Sequence, residues 1–451
     1  MTATPNKGKM QSESDAVILN NIKKKLAEAD VVQIFYTDLH GHPMTLRLNP
    51  EKIDAFVERG VGFDGSSIPG IGTVDNSDRL LFPILESFRI VEFNGDKLGF
   101  FIGKIFVEDG ERAKADARAV LENVLERAES EFGFRFLVGP EHEFFLLSSD
   151  EFNANIHTDK AGYFHAAPRD KGDVVRRRIT DILAKCGVPF EKTHHEVTPS
   201  QHEINLECSD PLTVADRTVL FNYVARRVAQ ECGLHITFMP KPFYGLNRNA
   251  FHIHLSMQDK NGVNLFHQTG EPHNLSRYAR QFIGGILKYG RETSILMAST
   301  YNSYKAYVLG REAPIVVGWG LKNRSSMIRV PYTNTPENTR IELRNPDPAG
   351  NVYLQLAAVI GMGLQGIAEG LDCGEPDIGS TYDRRGSVKV WDERYLPKSM
   401  FEALVEAERS PFLRNLLGEE LYQHYMNLKI REWEEYRTDI TDREHKEYLG
   451  F

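Results

Sequence analysis

The chain has 451 residues, 41% hydrophobic and 26% charged, with a formal net charge of −9. That length exceeds what one core fills, so two domains or one large elaborated domain is expected, and the composition is that of an ordinary soluble protein. The acidic balance argues against non-specific nucleic-acid binding, and no stretch approaches the ~20 apolar residues of a membrane span.

Residues 1–16, MTATPNKGKMQSESDA, are polar, lack an apolar signal core and are expected to be a mobile tail. DAVILNNIKKKLAEAD then predicts a short helix, and VVQIFYTD and MTLRLNP, joined by LHGHP, predict a hairpin. Glycine-rich GVGFDGSSIPGIGTVDNSDR interrupts this unit and LGFFIGKIFV closes it as a strand, which puts a boundary near residue 110. The expected domains are therefore 17–110 and 111–451. Ala117, Val120, Leu121, Val124, Leu125 and Ala128 make one apolar stripe of the next helix. FRFLVGPEHEFFLL, HEINLE, LHITFMP, AFHIHLSM, IVVGWG, SMIRVP and TRIELR follow as strands, several joined by loops too short for crossover helices. They predict an α+β fold with a large, curved, mostly antiparallel sheet and flanking helices. The C-terminal ~60 residues are helical by propensity. Cys186, Cys208, Cys232 and Cys373 form no CxxC pair, which suits a reducing cytoplasm.

The chemistry concentrates in carboxylates. Glu141 and Glu143 in GPEHEFFLL share one strand face, and Glu196 and Glu203 flank a Thr198-Pro199-Ser200 turn in HHEVTPSQHEINL. His252 in AFHIHLSM and Glu342 in RIELRN complete five carboxylates and one imidazole. Any one of these glutamates taken alone reads better as an edge-strand charge facing water. Together, among bulky apolar neighbours, they imply a bound cation, and an oxygen-rich donor set suits Mg²⁺ or Mn²⁺ better than zinc. Arg340, Glu342 and Arg344 fall on one face, either as an ion ladder or as a ligand between phosphate or carboxylate clamps; Arg324 and Arg329 add positive charge. Asp64 in GFDGSSI describes a phosphate cradle or a tight turn, and no Walker A or dinucleotide fingerprint is present. His194 and His195 read as packing or hydrogen-bonding residues, and His254, on the face of His252, as core or site.

The ordered set GFDGSSI, GPEHEFF, HHEV, QHEI, KPFYGLN with HIHLS, NSYK with REAP, NRS, IRVP and RIELRNPDPAGNVYL resembles the glutamine synthetase family from about residue 17 to the C-terminus. The resemblance implies an N-terminal β-grasp domain, a catalytic C-terminal domain, and active sites at subunit interfaces of a dodecamer of two hexameric rings. It implies an ATP-dependent ligase that phosphorylates a substrate carboxylate and lets ammonia or a small amine displace the phosphate, with two or more Mg²⁺ or Mn²⁺ per site. One metal would be held by Glu143, Glu196 and Glu203, the other by Glu141, His252 and Glu342. Arg324 and Arg344 would stabilise the transferred phosphoryl group, and His254, Ser256, Arg329 and Arg340 would contact ATP. Asp64, Ser67, Tyr163 and Glu196 would form the ammonium site, and Glu312 in REAP the flap that shields the intermediate from water.

Departures from the family pattern concern the acid substrate. NSYKAY places Ala306 where members that use glutamate carry an arginine for its α-carboxylate, and NRNA places Arg248 at a usual glycine beside Asn247. The expected acid site is therefore Asn247, Arg248, Ala306, Glu312 and Arg344, with Leu309 and Arg311 altering the flap. Either Arg248 takes over the carboxylate, giving an ordinary glutamine synthetase with a rebuilt site, or the acid is a glutamate analogue. A γ-glutamylamide synthetase for a larger amine would be expected to change the surroundings of Asp64 or Tyr163, and a non-catalytic relative to lose metal ligands. Neither change is present. STYDRR around Tyr382 departs from the family's adenylylation motif, so covalent control there is not expected.

Overall fold

A computed structural model describes residues 13–108, 110–153, 155–308, 313–333, 335–380 and 392–451. The first sheet comprises β1 (Val31–Thr37), β2 (Pro43–Leu48), β3 (Val61–Asp64), β4 (Asp78–Pro83), β5 (Arg89–Phe93) and β6 (Asp96–Phe106). Its order is β2-β1-β6-β4-β3, with β5 also paired to β6. β1 and β2 form the antiparallel hairpin expected from their alternation, and β6 lies parallel to β1. Helices α1 (Glu13–Leu26) and α2 (Ile53–Arg59) accompany it; Leu19, Ile22 and Leu26, spaced three and four apart, join Ile34, Leu81 and Phe101 in its core. This is the β-grasp arrangement. Strands β3, β4 and β5 lie in and just after the glycine-rich stretch, where short lengths hide the alternation.

The second sheet is built from β7 (Arg135–Leu147), β8 (Phe190–His195), β9 (Gln201–Leu206), β10 (His235–Thr237), β11 (Phe251–Gln258), β12 (Trp319–Leu321), β13 (Ile328–Val330) and β14 (Ile341–Leu343). Its order is β12-β13-β14-β11-β7-β9-β8, with β10 on β7; only β12 and β13 pair in parallel. Helices α3 (Ala117–Arg127), α4 (Asp173–Lys185), α5 (Pro211–Glu231), α6 (Arg277–Tyr289), α7 (Ser294–Met297) and α8 (Val352–Glu369) pack about it. The C-terminal region is helical as expected: α9 (Met400–Glu408), α10 (Pro411–Leu417), α11 (Glu419–Thr438) and α12 (Asp442–Tyr448).

Among the described residues α8 alone is long and apolar enough to cross a membrane, yet 78% of it is buried inside the fold against α3, α5 and α6. Its first turn also ties the two sheets together. Asn351 caps it by accepting from the N–H of Tyr353 at 3.1 Å, while its amide donates to Asp38 O at 2.9 Å, just past β1. The chain passes so close here that only glycine fits at position 41: its φ is +92°, and a Cβ would lie 2.7 Å from Asn351 Cα.

Candidate active site

Cross-strand register builds the site. Glu141 on β7 lies opposite His252 of β11 and Asn205 of β9, and Asn205 opposite Lys192 of β8. One row along, Glu143 faces Glu203, and Glu203 faces His194. On the other side His254 pairs with Glu342, and Glu342 with Arg329. Residues two apart share a face, so these rows open into one cavity of about 260 Å³. Glu141, Glu143, Glu196, Glu203, His252, Glu342, Tyr163, Arg248, Arg324, Arg329 and Arg344 all line it.

Two groups of donors converge within it. Glu141, His252 and Glu342 bring ligand atoms within 4.8 Å of one another, as do His194, Glu196 and Glu203. His252 Nδ1 is 3.0 Å from Glu141 Oε2, and His254 Nε2 is 3.0 Å from Glu141 Oε1. Although burial opposes it, these imidazoles hold the Glu141 carboxyl well below the usual range. Glu342 is gripped by Arg344 and, at 2.5 Å, by Arg329; against burial, Arg344 above all brings it down to about 2. Glu143 behaves oppositely. Burial, then the neighbouring Glu196 and Glu203, push its carboxyl well up, although Ala250 N donates to its Oε2 at 2.9 Å and Gln201 Nε2 at 3.1 Å. A buried carboxylate crowded by two others is relieved by a proton or by a cation, and an oxygen-rich set with few imidazoles fits a hard divalent ion. His194, read from the sequence as a packing or hydrogen-bonding residue, stands 3.2 Å from Glu203 Oε1, its ligand atom among those of Glu196 and Glu203. The signal was available: Lys192 and His194 alternate on β8, and Glu196 follows two residues on.

The turn carrying Glu196 toward Glu203 is braced from behind. Ser200 adopts φ +65°, unusual for a residue with a Cβ, and its N–H donates to Asp159 Oδ1 at 3.0 Å. His195 Nε2 lies 3.0 Å from the same oxygen, and Phe164 N donates to His195 O at 3.1 Å, joining the Tyr163 loop to the strand. Asp159, Asp170, His195 and His202 have metal-like spacing, but a guanidinium is already among them. Arg176 meets Asp170 Oδ2 and His202 Nδ1, each at 2.7 Å.

The acid-site positions fare unequally. Arg248 is buried and lines the cavity; its Nη1 donates to Asn345 O at 3.2 Å and its Nη2 to Arg344 O. Ala306 is 2% exposed and does not reach the cavity. Asn247 N donates to Thr198 Oγ1 at 3.3 Å. His254, hydrogen-bonded to Arg340 Nε at 3.2 Å, and Ser256 continue along β11 from His252. Asp64 and Ser67 are not in the cavity lining; they lie with Ser66 in a tight turn after β3, both serine hydroxyls donating to the Asp64 carboxylate. Glu312, Leu309, Arg311 and Tyr382 fall outside the described residues.

Comparison with known proteins returns one family for both parts of the chain. The model for the glutamine synthetase catalytic domain matches residues 114–448, and that for the glutamine synthetase β-grasp domain matches residues 28–108. The glutamine synthetase of Methanosarcina mazei is 38% identical over 440 residues, covering 95% of this chain and 97% of that protein. That of Thermotoga maritima is 34% identical over 441 residues, covering 96% and 99%. A solved GmaS/ADP complex superposes with a TM-score of 0.85 at 28% identity, covering 96% of this chain and 99% of that one. The cryo-EM structure of Plasmodium falciparum glutamine synthetase shares the fold, with a TM-score of 0.84 at 24% identity over 99% of this chain and 100% of that one.

Proposed function

The chain belongs to the glutamine synthetase family, ATP-dependent carbon–nitrogen ligases of glutamate with ammonia or an amine, and from that premise we propose how its own residues divide the work. The family uses ATP and divalent metals and is typically homo-oligomeric.

Glu143, Glu196 and Glu203 hold one Mg²⁺ or Mn²⁺, and Glu141, His252 and Glu342 a second. Metal ions held there would supply charge neutralisation at the phosphates. Arg324 and Arg344 face the same cavity and stabilise charge on the phosphoryl group as it passes from ATP to the substrate carboxylate. His254, Ser256, Arg329 and Arg340 bind the nucleotide. The resulting acyl phosphate is attacked by ammonia or a small amine, with loss of phosphate. Tyr163 and Glu196 wall the amine site, and exclusion of water from the intermediate is the role left to Glu312.

Arg248 supports a glutamate or glutamate-like acid. Two of a guanidinium's five N–H donors go to main-chain carbonyls here, and three remain for a carboxylate in the cavity. It thus stands in for the arginine absent at position 306. Asp64 and Ser67 lie outside the lining of their own chain's cavity, which supports their acting at a neighbour's, as in a dodecamer of two hexameric rings with interfacial sites. Four unpaired cysteines suit the cytoplasm.

The carrying observation is the single cavity that joins both acidic groups to four arginines. Its test is phosphate release from ATP with Mg²⁺ and ammonium, comparing L-glutamate with other amino and dicarboxylic acids, then ammonium with small amines. Turnover with glutamate and ammonium means Arg248 has rebuilt the usual site. Turnover with another acid means positions 248 and 306 redefine the substrate, and absence of acid-dependent phosphate release overturns the reading.

A further inference from the structure

Lys192 stands on the edge strand β8, in the cross-strand row that runs through Asn205 and Glu141 to His252. Its ammonium lines the cavity, 3.9 Å from Glu141 Oε1 and 4.0 Å from Glu191 Oε1. Both separations exceed a hydrogen bond, and the side chain is 51% exposed, so neither carboxylate commits it. Glu141 Oε1 already has His254 Nε2 at 3.0 Å, and Arg340 backs that imidazole. Across the cavity, Arg329 and Arg344 neutralise Glu342. This end therefore gathers four permanent cations, Lys192, Arg329, Arg340 and Arg344, about the two cavity carboxylates Glu141 and Glu342.

We propose that Lys192 binds the phosphate chain of the nucleotide, a contact that rests on the ATP-dependent reading above. A flexible four-carbon stem with three N–H donors suits a phosphate that approaches from the open side of the cavity. The acid substrate has a cation of its own in Arg248, which also lines the cavity. Edge-strand lysines also guard sheets against unwanted pairing, a role that any cation or polar group fills without touching nucleotide.

The experiment is calorimetric titration of the full-length protein with MgADP, for wild type, Lys192→Met and Lys192→Arg, alongside Mn²⁺ binding without nucleotide. Losing one charge-assisted contact weakens MgADP binding about ten- to hundredfold in Lys192→Met. Lys192→Arg restores most of it, KM for ATP rises more than kcat falls, and Mn²⁺ affinity is unchanged. Equal MgADP affinity in wild type and Lys192→Met overturns the proposal. So does a change confined to Mn²⁺ affinity, which would make Lys192 a modulator of Glu141. If wild type itself does not bind MgADP, the nucleotide-dependent reading falls, and this contact with it.

Discussion

Arg248 and Arg344 are joined through the main chain: Nη2 of Arg248 donates to the carbonyl oxygen of Arg344, whose own guanidinium grips Glu342. The proposed acid clamp is thus anchored to the strand end that carries a proposed metal ligand. Removing it with Arg248→Ala should cost about 2–5 kcal/mol of transition-state binding, at least about a thirtyfold fall in kcat/KM for the acid. Combining Arg248→Gly with Ala306→Arg should shift acid preference in the substrate panel. An unchanged preference would show that these positions do not choose the substrate.

Divalent ions should stabilise the fold as well as the reaction. Glu143 is buried beside Glu196 and Glu203, so a cation relieves repulsion that the metal-free protein must bear. Mg²⁺ or Mn²⁺ at a hundred times its dissociation constant should add about 2.7 kcal/mol per site, seen as a higher Tm that EDTA reverses. Glu143→Gln should raise the metal-free Tm and shrink that increment.

Asp159 should act on the site without touching substrate. It accepts from Ser200 N and faces His195, so Asp159→Ala leaves a strained turn without its brace. Breaking this buried pair should cost about 3–5 kcal/mol in urea unfolding. Mn²⁺ affinity should fall as well, because Glu196 and Glu203 leave the turn at its two ends. Lost stability with unchanged Mn²⁺ affinity would limit Asp159 to a structural role.

Stability should also fall in mild acid through His40. Lys429 Nζ lies 3.1 Å from His40 Nδ1, which can accept only while the imidazole is neutral. Burial, then Lys429, lowers His40 from 6.5 to about 4, with Asp38 opposing and His42 assisting. A depressed folded pKa contributes stability above the unfolded value and loses it as pH drops toward the folded one. Unfolding free energy should therefore decline between about pH 6.5 and pH 4, by at most about 3 kcal/mol from this group. Urea titrations of wild type and His40→Gln across that window measure it, and the variant should show a flatter profile.

If Asp64 works in a neighbour's cavity, Asp64→Ala and Glu203→Gln chains should be inactive alone and partly active when co-assembled. Activity assays on the separated mixed oligomers decide this. No recovery would confine Asp64 to its own chain.

Much of this site was legible from period-two spacing. Glu141 with Glu143, and Glu196 with Glu203 across a turn, announced one acidic face because strand geometry leaves few alternatives. For His194 the sequence left packing and hydrogen bonding open, because its cross-strand partner, Glu203, is set by sheet register and not by local pattern. Strands β3 to β5 escaped notice for a similar reason: their partners are distant in sequence, and local alternation over four to six residues is weak. Nor does any local pattern show that Ala306 is shut away from the cavity while Arg248 enters it.

The amide of Asn351 starts α8 on one side and holds the end of β1 on the other. Loosening the β-grasp unit would therefore uncap a long, largely buried helix of the larger unit, and fraying that helix would loosen the β-grasp. Heat should meet both as one cooperative body, with coincident transitions by tryptophan fluorescence and circular dichroism, since Phe35, Phe100 and Ile102 of the first sheet also share a core with the larger unit.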